Sequence, residues 1–457
     1  MSRKYFGTDG VRGVANVKLS PEIAYRIGHS AGRYLIERGL PPKVYVGRDT
    51  RRSGPMLGAA LAAGFCTVGV DVVAVGVVPT PAVSFGAKKG GFGLGVMISA
   101  SHNPAPDNGI KLISRTGKKL SDEDESHIEA LMDQEPLDRP TGAEIGFLNS
   151  ASRPWVGEYV DFLVGLVPER LDGIKVAVDA AHGAAYELAP IVLERLGATV
   201  TLVGTEPDGD NINQGVGATH PATIKRLTLE SGSDVGVSFD GDADRAIFSD
   251  ELGHLINGDR VIAGWASHWR RDPKVVVGTV MSNTGFVRFM EDQGFQVALT
   301  KVGDKYVSDE IERTGAHIGG EQSGHTIFPE HGPTGDGLAT AMEMLRVVAR
   351  MGGKGSAISK LYDAWPQLLV NVEVTSTSGW DQGPRVKAAL AHAEEALAGH
   401  GRLSARASGT QPLVRIMVEA DSYPLRDTIA EEVVGAMLDE VGGRVYSKVD
   451  LTDDLGD

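Results

Sequence analysis

From the N-terminus to about residue 365 the chain alternates between two hydrophobic rhythms. Short β-branched runs give way to longer stretches whose apolar residues recur at helical spacing. Lys43–Gly47, Gly69–Val75, Gly93–Ile98, Lys175–Asp179, Val235–Phe239, Lys274–Val280 and Phe295–Thr300 read as strands. Glu187–Leu196 and Leu338–Arg350 read as helices, and Ala316–Gly319 as one more short strand. This rhythm predicts α/β units with mainly parallel sheets covered on both faces. Ligands then sit beyond the C-terminal strand ends, where the glycine-rich and polar loops fall.

After Trp365-Pro366 the style changes. Leu368–Val374, a helix with Val386, Leu390, Ala393 and Leu397 on one face, and Val414–Glu419 predict an α+β unit with an antiparallel sheet. In the last strand Val414, Ile416 and Val418 alternate with Arg415, Met417 and Glu419, so one face is expected to be solvated. Two other breaks stand out. Glu135–Gly142 is a loop followed by a helix from about Trp155, and Ser249–His254 reads as a turn between units.

A length of 457 residues exceeds what one core can organise, and predicts about three domains. The net charge of −15 argues against nucleic acid as a partner. It leaves room for a phosphorylated small molecule, since a few Arg and Lys residues can set the field inside one cleft. The acidic stretch Asp122–Glu135 and the last twenty residues read as solvated surface and tail. Cys66 is the single cysteine, so no internal disulfide can form. Its small-residue neighbours suggest a buried, inert thiol in a reducing cytoplasm. No apolar run reaches the roughly 20 residues that span a bilayer, so no membrane is expected.

Two stretches carry most of the chemistry. Ser101, in Ile98-Ser-Ala-Ser-His-Asn-Pro104, follows a strand; alone, the motif is an ordinary turn. Asp240, Asp242 and Asp244 alternate, so in an extended segment three carboxylates converge. Such a cluster repels itself without a cation, and hard oxygen ligands suit Mg²⁺. Lys111 can supply charge or, with a depressed pKa, move a proton; alone it is an ordinary solvated lysine. Arg406-Ala-Ser-Gly-Thr410 with Arg415 has the parts of an anion site, since guanidiniums grip phosphate with forked bonds. Glu321-Gln-Ser-Gly-His325 offers donors and acceptors for sugar hydroxyls, or a plain turn. Arg12, in Gly7-Thr-Asp-Gly-Val-Arg-Gly13, can reach a phosphate. No nucleotide-binding P-loop occurs.

In this order, those five stretches resemble the α-D-phosphohexomutase superfamily over nearly the whole chain. The resemblance implies four domains around a central cleft: three α/β domains, 1–153, 154–254 and 255–366, and an α+β domain, 367–457. It implies that Ser101 carries a phosphoryl group which joins Asp240, Asp242 and Asp244 in holding one Mg²⁺ per chain. Glu321 and Ser323 would hold sugar hydroxyls. Arg406, Ser408, Gly409, Thr410 and Arg415 would grip the non-reacting phosphate. Arg12, Lys111 and His325 would lie near the transferred group. The implied reaction interconverts glucosamine 6-phosphate and glucosamine 1-phosphate, towards UDP-N-acetylglucosamine, with glucosamine or glucose 1,6-bisphosphate as intermediate or activator. The partner is then a small phosphosugar, and the enzyme a cytoplasmic monomer or homodimer. Gln411 stands where many members carry Glu. The alternatives are a mutase of the same superfamily acting on glucose or mannose phosphates, a non-enzymatic sugar-phosphate binder, and a phosphatase.

Overall fold

The structure is a computed structural model describing residues 4–7, 9–134, 139–150, 152–408 and 412–455. Its chain forms two compact units, Met1–Val280 with Ala298–Ser359, and Met281–Val297 with Lys360–Asp457.

The first sheet of the first unit orders Val11–Val14, Asp107–Ser114, Leu94–Ile98, Lys43–Arg48, Asp71–Val77 and Leu148–Asn149. Leu94–Ile98 and the three strands after it run parallel; Asp107–Ser114 runs against them, and Val11–Val14 pairs antiparallel with Asp107–Ser114 at the edge. Pro21–Glu37 and Gly54–Cys66 are helices packed over a core that includes Leu19, Ile27, Leu57, Phe65 and Val96. They touch backbone to backbone: a Cβ on Gly64 would stand 2.2 Å from the Tyr25 carbonyl oxygen. Small residues are needed for that approach. Cys66 closes this helix half-buried against the same core, and burial pushes its thiol up.

The acidic stretch after residue 121 is more than solvated surface. It forms the helix Asp122–Met132, capped by Ser121, and its Glu129 carboxylate accepts the backbone N–H groups of Lys4, Tyr5 and Phe6. Residues 135–138 of the expected loop lie outside the described residues.

The second sheet orders Leu255–Ile256, Ala246–Asp250, Val235–Phe239, Lys175–Asp179 and Thr199–Val203. Ser249–His254 is a turn, and the short strand Leu255–Ile256 that follows it pairs back onto this sheet. Ser249 pairs with Leu255 and Phe248 with Ile256, and the Asp250 carboxylate accepts the N–H groups of Leu252 and His254. The expected strand at 316–319 is shorter and later, Gly319–Gly320, because it pairs with Thr326–Ile327 across the tight turn 321–325. The strands Val275–Thr279 and Gln296–Thr300 and the helices Leu188–Arg195 and Gly337–Arg350 form where the pattern places them, within two residues at each end.

In the second unit Gln367–Glu373 lies between Leu413–Ala420 and Arg444–Asp450, with Gly401–Ala407 outermost beside Leu413–Ala420, all antiparallel. Val386, Ala393 and Leu397 of the predicted helix face are buried with Val414, Ile416 and Val418. The opposite face of that strand is not solvated as its alternation suggested. Met417 packs with Leu369 and Leu451, and the buried Glu419 carboxylate accepts the Thr284 N–H and the Arg402 guanidinium. The acidic C-terminus also corrects its reading as a tail, since Arg444–Asp450 completes the sheet through alternating Val445, Ser447 and Val449. No helix among the described residues is long and apolar enough to cross a membrane.

Gly64→Ala tests the helix contact. Forcing a methyl group against a carbonyl should lower stability in urea unfolding by about 1–3 kcal/mol; an unchanged midpoint would contradict the close approach.

Candidate active site

Ser101 lies just past the C-terminal end of Leu94–Ile98, and Asp240 just past that of Val235–Phe239. Two neighbouring strand ends of different sheets therefore meet. Their contact is intimate: a Cβ on Gly241 would stand 2.4 Å from the Ser101 carbonyl oxygen, so only glycine allows it. Ser101 itself takes a left-handed conformation, φ 53°, and is 2% exposed. L-residues rarely hold that conformation unless surrounding bonds impose it. Here the Ser101 hydroxyl donates to Asp240 Oδ2 at 2.5 Å and lies 3.2 Å from His102 Nδ1. The Arg245 charge, followed by burial, pushes His102 down to about 2, which keeps its imidazole neutral.

Asp240, Asp242 and Asp244 are all buried and bring one carboxylate oxygen each within 4.8 Å of the others. Lys111, on the strand Asp107–Ser114, reaches into them. Its ammonium donates to Asp242 Oδ2 at 2.8 Å and stands 3.7 Å from Asp244 and 3.4 Å from Asp9. Arg12 lies on the neighbouring strand opposite Gly109 and pairs with the same Asp9. Thr80 fixes Asp242 from the other side, its hydroxyl donating to Oδ2 at 2.6 Å and its N–H to the Asp242 carbonyl at 2.9 Å.

Burial alone raises every carboxyl in this cluster. Burial and the charges of Asp244 and Asp242 hold Asp240 well above the usual carboxylate range, and burial with the Asp242 charge raises Asp244. Burial raises Asp242 too, but the Lys111 charge and hydrogen bond and the Thr80 hydrogen bond together overcome it and lower the group. The same contacts bear on the two readings of Lys111, as a charge or as a proton shuttle. Burial would lower Lys111, but Asp242, Asp9 and Asp244 overcome it and push the group up. Lys111 is a fixed positive charge in this arrangement.

A divalent cation fits the three aspartates on two grounds. All the ligand atoms are hard oxygens, and Asp242 Oδ1 and Asp244 Oδ1 are buried without a hydrogen-bond partner. A second cluster of suitable residues among those described, Glu330, His331 and Glu343, is already satisfied. Glu343 accepts His331 and Trp265 at 2.8 Å each, and Glu330 pairs with Arg271.

His325 joins the same pocket, its Nε2 3.9 Å from Asp244 and 4.0 Å from Asp304. Glu321 and Ser323 are half-buried in the turn leading to it, and Glu321 Oε1 accepts the Gly303 N–H at 2.8 Å. In the second unit Arg406 and Arg415 face each other across paired strands, and the Ser408 N–H bonds the Leu413 carbonyl. Gly409, Thr410 and Gln411 lie outside the described residues.

Several residues at this site had no motif to announce them. Thr80 approaches from a distant helix start, and Asp304 joins through Lys119, which bonds Asp9 and Asp304 at 2.5 and 2.6 Å. Asp9 stood inside the Gly7–Gly13 stretch, where only its Arg neighbour suggested phosphate chemistry.

Domains of one family match in sequence along this chain. Phosphoglucomutase/phosphomannomutase alpha/beta/alpha domains I, II and III match residues 3–139, 157–253 and 257–368, and its C-terminal domain matches 369–436. The length-based expectation of about three domains was therefore one short. The chain belongs to the phosphoglucomutase/phosphomannomutase family of the phosphohexomutase superfamily, and is an enzyme, an intramolecular phosphotransferase of the isomerase class. Within it the chain falls among the phosphoglucosamine mutases: it is 46% identical to the phosphoglucosamine mutase of Desulforamulus reducens, over 94% of this chain and 99% of that one. A phosphoglucomutase/phosphomannomutase family protein from Burkholderia thailandensis, solved by crystallography, shares the fold at a TM-score of 0.78 and 26% identity, covering 97% and 99% of the two chains. An Aspergillus fumigatus N-acetylphosphoglucosamine mutase, solved with GlcNAc-6P and magnesium, shares it at 0.68 and 19%, covering 96% of each.

A divalent cation should therefore stabilise the folded protein. Adding Mg²⁺ to chelator-treated enzyme should raise Tm, with about 2.7 kcal/mol gained at a hundredfold excess over Kd. Asp242→Ala should abolish the rise; an equal rise in that variant would place the cation elsewhere.

Proposed function

We propose that the enzyme interconverts glucosamine 6-phosphate and glucosamine 1-phosphate, with Ser101 as the phosphoryl carrier. The observation that carries this reading is the Ser101 hydroxyl bonded to Asp240 inside a buried triad of carboxylates that also holds Lys111. Phosphorylated Ser101 gives its phosphoryl group to the free hydroxyl of the substrate. The serine O–P bond breaks as the sugar O–P bond forms; the sugar hydroxyl proton passes to a base in the cleft, and Ser101 Oγ takes up a proton as it leaves. The resulting 1,6-bisphosphate turns end for end, and its other phosphoryl group returns to Ser101 by the reverse exchange. Net atoms and charges are unchanged over one cycle.

Arg12 and Lys111 offset charge on the transferred group, and His325 lies close enough to orient it. Asp240, Asp242, Asp244 and the phosphoserine would hold one Mg²⁺ per chain, which supplies further neutralisation for an in-line transfer. Glu321 and Ser323 hold sugar hydroxyls. Arg406, Ser408, Gly409, Thr410 and Arg415 grip the phosphate that is not reacting. Two arginines directly opposite in an antiparallel pair repel each other, and a bound dianion would relieve that cost. One such pocket can take either phosphate while the other reacts. The loops carrying Ser101, the three aspartates, Glu321 and Arg406 would belong to domains 1–153, 154–254, 255–366 and 367–457 respectively. We further propose a cytoplasmic monomer or homodimer without nucleic acid or membrane partners, feeding UDP-N-acetylglucosamine synthesis.

Steady-state rates test this directly. Ser101→Ala should lose about 10³-fold or more in kcat with glucosamine 6-phosphate. The wild type should prefer that substrate over glucose and mannose 6-phosphates and release no inorganic phosphate in step with turnover. Full activity in Ser101→Ala would refute the carrier; a preference for glucose or mannose phosphate would refute the substrate.

A further inference from the structure

The serine loop also rests on a second buried ion pair that no part of the reaction above uses. Asp49 and Arg51 follow the strand Lys43–Arg48, and both are fully buried. Arg51 Nε donates to Asp49 Oδ2 at 2.8 Å. The rest of its guanidinium is spent on the loop backbone. Nη2 donates to the carbonyls of Ser101 and Asn103 at 2.9 and 2.7 Å, and Nη1 to those of Pro104 and Asp107 at 2.5 and 3.0 Å. Asp49 completes the circuit. Its Oδ2 accepts the Ser99 hydroxyl at 2.6 Å, and Ser99 Oγ accepts the Ser101 N–H at 2.9 Å. Asn213, from the second sheet's side, adds bonds to the carbonyls of Ser101 and Asn103.

We infer that Asp49 and Arg51 are positioning residues for phosphoryl transfer, acting on Ser101 only through its own two peptide groups. The serine N–H hangs from Asp49 by way of Ser99, and its C=O from Arg51, so one ion pair holds both sides of a residue in a sparsely populated conformation. The residue's φ sets where Oγ points, and Oγ must meet the in-line path beside Asp240. Burying an ion pair costs desolvation that an apolar pair would avoid, so its use here fits a demand for fixed geometry more than for stability. A lysine cannot replace the guanidinium: one ammonium has three donors and no planar fork, whereas Arg51 serves four carbonyls and a carboxylate.

This inference rests on Ser101 as phosphoryl carrier, and the test separates the two. Arg51→Lys should lower kcat about 100-fold while KM for glucosamine 6-phosphate changes less than about threefold, because substrate contacts are untouched. Arg51→Ala should regain part of its kcat with added guanidinium ion. Should either variant fail to fold, Ser99→Ala removes only the link from Asp49 to the Ser101 N–H, and should cost about tenfold in kcat at unchanged KM. A loss in KM alone, or wild-type kcat in folded Ser99→Ala and Arg51→Lys, overturns the inference. If Ser101→Ala is dead while these variants are fully active, the carrier reading stands and this one falls. If Ser101→Ala is itself active, the carrier reading has failed.

Discussion

Three aspartates crowded into a buried pocket form the constraint around which the active site is built. Like charges at this distance in a poorly solvated place cannot all ionise unless something positive shares the space. Lys111 satisfies Asp242 and leaves Asp240 and Asp244 raised, with buried oxygens of Asp242 and Asp244 still lacking partners. That residual imbalance is what a hard divalent cation removes. Much nearby follows from it: Thr80 pins Asp242, Asp9 gathers Arg12, Lys111 and Lys119, and Gly241 lets the serine loop close in.

The pattern of apolar residues revealed the α/β character and most strands, because strands buried on both faces write themselves as unbroken runs of Val and Ile. It misjudged places where covering comes from remote chain. Met417 and Glu419 alternate like a solvated face, yet Leu451 and the segment around Thr284 cover them. Alternation records what one strand offers, and distant segments decide what is covered.

Of the site, the residues with chemistry in short motifs were legible: Ser101, the three aspartates, Lys111, Arg12 and His325 come together in one unit. Their electrostatics were not. Lys111 read as either a charge or a proton shuttle; Asp242, Asp9 and Asp244 push its ammonium up, which favours the charge. Thr80, Asp49, Arg51, Asn213 and Asp304 carry no local signature, since each acts through contacts 50 or more residues away in sequence, made visible only by the fold.

Transfer through Ser101 requires the phosphoryl group to rest on that residue between turnovers. Peptide mapping by mass spectrometry after incubating the enzyme with isotopically labelled glucose 1,6-bisphosphate measures this directly. The account predicts label on the peptide containing Ser101, lost again when unlabelled glucosamine 6-phosphate is added. Sustained turnover with that peptide unlabelled, or label held on another residue and chased at the catalytic rate, would contradict it.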